Sequence, residues 1–478
     1  MKLFELLKSK QNFSLIFIFF AALLIFTRFY NLDHTARFTR DESSDLLHME
    51  TIFRQRKLTL VGPISSDNVK VFGSLTYYML LPFTAATNFD PIGPVYGTAF
   101  WGILTVLLLL AITWKLNHRY LWLTALLCLI WYPLVETSRW AWNPHYVTFW
   151  IALGIVAYLI KTKLSYFLAG IFLALSFHNH YIALFGTGTF VVVASYLAWR
   201  KKQWQHIFWL VVGYALPFVP FVLFDLRHPP GLFFSQYLAS GDTPHLASLT
   251  PLSFVQRLWD SFWIMVNYVA LPTLGWLVGS LLVWLAWLDR KKIEHWLWLL
   301  PVIAQLLVGT ILSDFQTRYF LPALVFLFVW LIVKRQGLAG WLAKALLWLM
   351  IISSLFTVIP QLTQTKVPPD IYSLRSASQL IANKIKDDGL NNANVAVLAS
   401  KDSGVLGEKY RDYISMLGVG LKAASEYDTS ENLFVISTSD GQTVSADPSA
   451  AMQLFKGSTL DGTYPIPNSD WKVYRFRY

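Results

Sequence analysis

The sequence predicts an α-helical polytopic membrane protein carrying a small C-terminal α/β extracytoplasmic domain. Three observations point there. Of the 478 residues 55% are hydrophobic and only 14% charged, with mean hydropathy +0.46, whereas a soluble chain carries about 25% charged residues to face water. The apolar residues gather in runs near membrane-crossing length, separated by short basic segments. After residue 365 the composition turns abruptly polar.

The same composition excludes other classes. A single cysteine, Cys128, sits inside an apolar run and rules out a disulfide scaffold. The net charge of +11 does not signal nucleic acid, because the basic residues fall between apolar runs and form no continuous basic face. The 21 Trp, 22 Tyr and 35 Phe suit interfacial belts and helix packing, and Trp140, Trp142 and Tyr146 are expected in such a belt.

The first apolar run, 13–30, follows Lys2, Lys8 and Lys10 but ends in Thr27-Arg28-Phe29-Tyr30, with no small-residue cleavage site. It reads as an uncleaved span. Later spans are expected at 93–114, 120–136, 146–160, 164–177, 181–199, 203–224, 261–288, 296–313, 319–333 and 337–359, about eleven in all. The run 75–89 is short and contains Pro82, and reads as re-entrant or interfacial. This count, with a cytoplasmic N-terminus, puts Lys115/Arg119, Lys161/Lys163, Arg200–Lys202, Arg290–Lys292 and Lys334/Arg335 inside, as the positive-inside rule asks. The loop 31–74 and the polar segments 138–145, 178–181, 224–228 and 314–319 then all emerge outside, in a multi-pass protein of the cell membrane.

The chain is expected to divide into a membrane domain, 1–365, and a soluble domain, 366–478, with KVPPD at 366–370 a stiff exit from the last span. Helical spacing covers SLRSASQLIANKIKDDG, with Gly389 as a stop, and a second helix is expected across SGVLGEKYRDYISMLG. NVAVLAS and NLFVIST read as buried strands and WKVYRFRY as an edge or terminal strand.

The first outer loop, 31–74, is the richest in chemistry. It sets Asp33, Asp41, Glu42, Asp45 and Glu50 against Arg37, Arg40, Arg54, Arg56 and Lys57, and so many basic residues on an outer loop run against the positive-inside bias. Adjacent Asp41 and Glu42 diverge by about 100° on a helix, which would let one face a cavity while the other anchors the loop. A carboxylate at the membrane surface among arginines suits group transfer from a lipid phosphate. It serves as general base for an acceptor hydroxyl, and Arg, Lys or His receives the charge on the departing phosphate.

The ordered series RDE at 40–42, LVGPISS at 60–66, FGSLTYYMLLP at 72–82, SRWAWNP at 138–144, HNHY at 178–181, FDLRH at 224–228 and RYFLP at 318–322 resembles the C-type glycosyltransferases. The likeness is to the dolichyl-phosphate-mannose protein mannosyltransferase class, glycosyltransferase family 39, and its bacterial relatives, over roughly residues 1–360. The resemblance implies a membrane glycosyltransferase, a hexosyl- or pentosyltransferase. It would move a sugar from a polyprenyl-phosphate-linked donor to a hydroxyl acceptor (protein, glycolipid or wall polymer) on the outer face, with inversion. Membrane lipid is the expected surrounding, and no nucleic-acid partner is expected.

By that likeness Asp41 is the catalytic carboxylate and Glu42 its support. Arg318, Tyr319, Arg227, His180, His178 and Arg139 are candidate donor-phosphate ligands; Arg40, Asn143, Tyr181, Asp225 and His228 are candidate substrate contacts. Arg318 stands first because a guanidinium meets phosphate bidentately. The acidic residue that many relatives carry in the second outer loop has no counterpart here: Asn143 and His145 stand in its place, and Asp225 is the candidate substitute. No cofactor is assigned, and a divalent metal finds no support in ligand spacing, since His178 and His180 are two apart rather than four. A transporter or lipid flippase is the alternative, disfavoured because the polar residues cluster on one face rather than at the midplane.

Overall fold

A computed structural model describes residues 10–64, 71–234, 250–312, 316–364, 370–398, 407–455 and 457–478, with side chains from residue 15. They form two compact units. One comprises residues 1–30, 59–79 and 96–362, and the other residues 31–58, 80–95 and 363–478. The second unit thus takes in residues 31–58 of the expected first outer loop as well as the C-terminal stretch, while 59–74 of that loop belong to the first unit.

The first unit is helical: α1 (Lys10–Phe29), a hairpin of β1 (Val61–Ile64) and β2 (Val71–Gly73), the start of α3 (Leu75–Ala86), and α4 (Ile92–Asn117) from residue 96. There follow α5 (Leu121–Ile130), α6 (Tyr132–Thr137), α7 (Val147–Ile160), α8 (Lys163–Asn179), α9 (Ala183–Arg200), α10 (Trp204–Ala215) and α11 (Val219–Arg227). The rest are α12 (Pro251–Val269), α13 (Pro272–Asp289), α14 (Ile293–Ile311), α15 (Leu321–Ile332) and α16 (Gly337–Thr363). Among the described residues six stretches are long and apolar enough to cross a membrane: Ile92–Ile130, Asn143–Ile160, Trp204–Arg227, Pro272–Asp289, Ile293–Ile311 and Gly337–Thr363. Leu15–Phe29 and Thr317–Ile332 are shorter apolar helices. The expected spans at 164–177 and 181–199 are helices of 17 and 18 residues interrupted by Ser, His, Asn, Gly and Thr. The count of eleven stays an expectation.

Polar side chains tie the helix ends. Arg28, fully buried, donates to the carbonyls of Leu129 (2.6 Å) and Cys128 (2.7 Å), joining the C-terminal ends of α1 and α5. At the far end of α4, Asn117 donates to the Ile332 carbonyl (3.0 Å), and the Tyr120 hydroxyl to that of Gly340 (3.2 Å). The Cys128, Leu129 and Ile332 carbonyls are ones that helix C-termini leave without partners, whereas Gly340 lies in the first turn of α16. All twelve residues of α15 are buried. Its sequence, LPALVFLFVWLI, contains no polar side chain, the pattern of a helix surrounded by others.

The second unit contains α2 (Arg40–Gln55) and, in the C-terminal stretch, α17 (Ile371–Asp387), β3 (Ala393–Leu398), α18 (Glu408–Met416), β4 (Asn432–Ser437), α19 (Gly441–Ser445), α20 (Ala450–Leu454), β5 (Thr459–Pro465) and β6 (Lys472–Arg477). The sheet order is β3-β4-β6-β5, with β3 and β4 parallel and β6 antiparallel to both neighbours. Leu433, Val435, Tyr474, Phe476 and Phe455 form a core on one side. β6, expected at an edge or terminus, lies inside the sheet, and its middle four residues are buried. The edge belongs to β5, hidden from sequence reading by Asp461, Gly462 and Pro465, which all disfavour strands. The helix expected at 371–387 ends ahead of Gly389 as anticipated. That at 403–418 is confined to Glu408–Met416, and 403–406, like 366–369 of the exit segment and 399–400 of the first strand, lie outside the described residues.

Candidate active site

Asp41 occupies the first turn of α2, and the turn is fixed by its neighbour. Glu42 is buried, and its Oε2 accepts from the Thr39 backbone N–H (2.6 Å) and the Thr39 hydroxyl (2.7 Å). This reciprocal capping box is what Thr-Arg-Asp-Glu encodes. Asp41 stays half-buried, about 100° round the helix from Glu42. The pair therefore divides into an anchor and a half-exposed carboxylate.

The C-terminal stretch holds α2 in turn. Ser43 donates to Asp412 Oδ2 (2.6 Å), and Arg40 forms an ion pair with Glu408 on the same helix, α18. Arg375 bridges Asp33 (3.0 Å) and Asp90 (2.7 Å), while His34 meets Asp370 (2.5 Å). Burial raises the pKa of Asp412 above the usual carboxylate value, against the opposing pull of Ser43, Arg40 and His48. Arg40, a candidate substrate contact, is thus engaged by a carboxylate.

Within the first unit, Arg318 lies in the single turn leading into the buried helix α15. Its guanidinium stands over the Trp142 ring (4.8 Å to the centroid) and the Tyr319 ring (5.1 Å), and it donates to the Gln316 side chain. Trp142 is stacked on Trp140 at 4.4 Å and 12° between planes, with His145 edge-on to both. His180 lies 6.0 Å from the Tyr319 ring and is stacked on Phe72. Gln305 on α14 donates to the Tyr319 carbonyl (2.6 Å), pinning the turn. Among the described residues no carboxylate pairs with Arg318, whose half-buried guanidinium rests on the two aromatic rings. Asp314 lies outside the described residues.

The remaining candidates scatter. His178 is buried, bonded through Nε2 to the Pro217 carbonyl (2.9 Å) and packed on Phe221. Asn143 donates to the Asn179 carbonyl (2.8 Å), and Asn179 donates to Thr76 (2.8 Å), linking three of the sequence motifs. Tyr181 packs its ring between Phe72 and Phe177. Arg139 is buried, its guanidinium capping α1 through the carbonyls of Thr27, Arg28 and Tyr30. Asp225 accepts from the backbone N–H groups of Leu232, Phe233 and Phe234, organising its own loop. Arg227 and His228 are exposed. The structure thus gathers Arg318, Tyr319 and His180 and gives Arg139 and Asp225 structural work.

Sequence reading missed the Trp140–Trp142 seat. The signal was present, since Trp-Ala-Trp in extended backbone puts both indoles on one side. Tyr146, expected in the belt, is instead core, with its hydroxyl 2.6 Å from Thr98. Among the described residues no three His, Cys, Asp or Glu side chains converge as a metal site.

The fold is shared with two solved proteins. The chain is similar in structure to ArnT from Cupriavidus metallidurans, solved bound to undecaprenyl phosphate: TM-score 0.61, 11% identity, 98% of each chain covered. It also resembles the Archaeoglobus fulgidus oligosaccharyltransferase, solved with a tethered acceptor peptide, with TM-score 0.51 and 12% identity over 98% of this chain and 74% of that one. No family model and no curated protein matches the sequence.

Proposed function

We propose that this protein transfers a sugar from a polyprenyl-phosphate carrier to a hydroxyl acceptor at the outer face of the membrane, its N-terminus cytoplasmic and its C-terminal domain extracytoplasmic. The observation that carries the reading is Arg318, a cation seated on Trp142 and Tyr319 without a carboxylate partner among the described residues. A guanidinium so placed meets a phosphate through two parallel hydrogen bonds. Further support comes from the fold, shared with one protein that binds undecaprenyl phosphate and with an oligosaccharyltransferase, and this disfavours a transporter or flippase.

In the proposed step the acceptor oxygen attacks the anomeric carbon, the bond from that carbon to the phosphate oxygen breaks, and configuration inverts. Asp41 takes the acceptor proton, a contribution of about 10²–10⁴-fold. Arg318, with Tyr319 and His180, receives the charge that develops on the leaving phosphate.

The test is binding of undecaprenyl phosphate to purified wild type, Arg318→Lys and Arg318→Ala. Arg318→Ala is expected to weaken binding by about 2 kcal/mol or more, with Arg318→Lys between, since lysine keeps the charge but loses the fork. Equal affinity in all three would remove Arg318 from the phosphate site.

A further inference from the structure

At the end of the helical unit where α13 turns into α14, a cavity of about 580 Å³ opens between α9 and α14. Its walls are Val192, Val193 and Tyr196 on α9, Arg290 and Lys291 in the turn, and Ile293, Trp296 and Leu300 on α14. We propose that this cavity binds the phosphate headgroup and upper acyl chain of an anionic phospholipid, a site separate from the sugar-transfer chemistry.

The polarity of the lining runs in one direction. From the turn bearing Arg290 and Lys291 the lining passes Ile293, reaches Trp296 and Tyr196, and ends on Leu300, Val192 and Val193; Ile293 to Leu300 spans about 10 Å of helix. A lipid has that profile: phosphate, then ester carbonyls, then hydrocarbon. Tyr and Trp favour the level between. Val192, in the lining, is 67% exposed.

The charge at this end is strongly positive. Arg290, Lys291 and Lys292 are exposed, and Arg200, Lys201 and Lys202 begin one helical turn beyond Tyr196. Among the described residues two carboxylates, Asp289 and Glu294, adjoin this turn in the chain. Glu294 is exposed on the first turn of α14, and buried Asp289 is already held by Arg335 (2.7 Å) and His295 (2.8 Å). Arg290 is held in place without being neutralised, since its Nη1 donates to the Trp287 carbonyl (2.7 Å) and its guanidinium lies 3.9 Å over the Trp287 ring. Trp296 is fixed by its indole N–H to the Arg290 carbonyl (3.1 Å). No ion pair or hydrogen bond engages the Lys291 ammonium among the described residues, which leaves it available to a phosphate oxygen.

Charge selects the occupant. A zwitterionic lipid brings a choline or ethanolamine cation into a field of six basic residues, whereas phosphatidylglycerol brings none. Basic pockets between membrane helices are read as anionic-headgroup sites on the same ground.

The test is native mass spectrometry of the full-length protein, released from detergent after exchange with phosphatidylglycerol or with phosphatidylcholine. One phosphatidylglycerol is expected to stay bound, with affinity falling roughly thirtyfold in Arg290→Gln/Lys291→Gln, about fivefold per charge. Lys161→Gln/Lys163→Gln, at the exposed turn between α7 and α8, is expected to retain it. Three results would overturn the proposal: phosphatidylcholine held as firmly, equal loss in both double variants, or displacement of the lipid by inorganic phosphate, which would mark a free-anion site. All four lysine and arginine positions are exposed, and because Arg290 also contacts Trp287, unchanged unfolding midpoints in both double variants are required for the comparison to count.

Discussion

Ser43, two residues along the helix from Asp41, donates a 2.6 Å hydrogen bond to Asp412, which lies 369 residues later in the chain. The C-terminal stretch therefore sets the position of the helix that carries the candidate base. Ser43→Ala removes a hydrogen bond to a charged group and is expected to destabilise this unit by about 1.5–3 kcal/mol. Thermal unfolding of the purified protein measures it.

Asp412 also gives a pH signature. Its pKa is raised by burial above the ordinary value of 3.8, so in the window between those two values the folded state holds more protons than the unfolded state. Stability falls as pH rises through that window and is flat above it. Asp412→Asn keeps an oxygen for Ser43 and removes the charge. It should flatten the dependence at no cost in stability near neutral pH, whereas Asp412→Ala should destabilise. Unfolding midpoints measured from acid to neutral pH distinguish the two.

Glu42 supports Asp41 through the capping box. Glu42→Ala loses both bonds to Thr39 and is expected to cost about 1–2 kcal/mol. It should lower turnover more than donor affinity, because it releases the turn that aims Asp41. Glu42→Gln preserves the box and is expected to recover most of both.

Gly73 is pressed against the histidine motif. A Cβ there would stand 2.9 Å from His178 Nδ1 and 2.7 Å from the Phe221 ring, too close for either to stay. Gly73→Ala is expected to move His178 off the Pro217 carbonyl and destabilise the unit by about 1–3 kcal/mol. An unchanged unfolding midpoint would show that the packing around Gly73 yields without cost.

Asp289 shows the cost of breaking a buried pair. Its carboxylate holds Arg335, whose side chain is fully buried, and accepts from Trp330 (3.1 Å). Asp289→Ala strands the guanidinium and is expected to cost about 3–5 kcal/mol, seen as a sharp fall in monodisperse protein after extraction.

Much of this was legible in the residues. Apolar runs and their basic ends mark the helices, because a bilayer leaves the backbone few alternatives. The division of labour between Asp41 and Glu42 follows from helical angle and the Thr39–Glu42 spacing, both local. The docking of α2 on α18 was not legible, since Ser43 and Asp412 share no local pattern. Nor were the duties of Arg139 and Asp225: a cation at a helix end and an acid before two prolines look alike whether they bind substrate or cap backbone. β5 escapes because its pairing with β6 overrides weak strand propensity. The Trp140–Trp142 seat is readable from spacing, but the same two indoles fit the commoner belt role equally well.

The central claim is the transfer itself. Wild type and Asp41→Asn, each folded in lipid, would be given radiolabelled polyprenyl-phosphate sugars and a crude envelope acceptor. Label reaching the acceptor with wild type, and falling by about 10²-fold or more with Asp41→Asn, is the predicted result. Equal transfer by both would remove Asp41 from the chemistry. Failure of either protein to bind or transfer any prenyl-linked sugar would contradict the assignment as a glycosyltransferase.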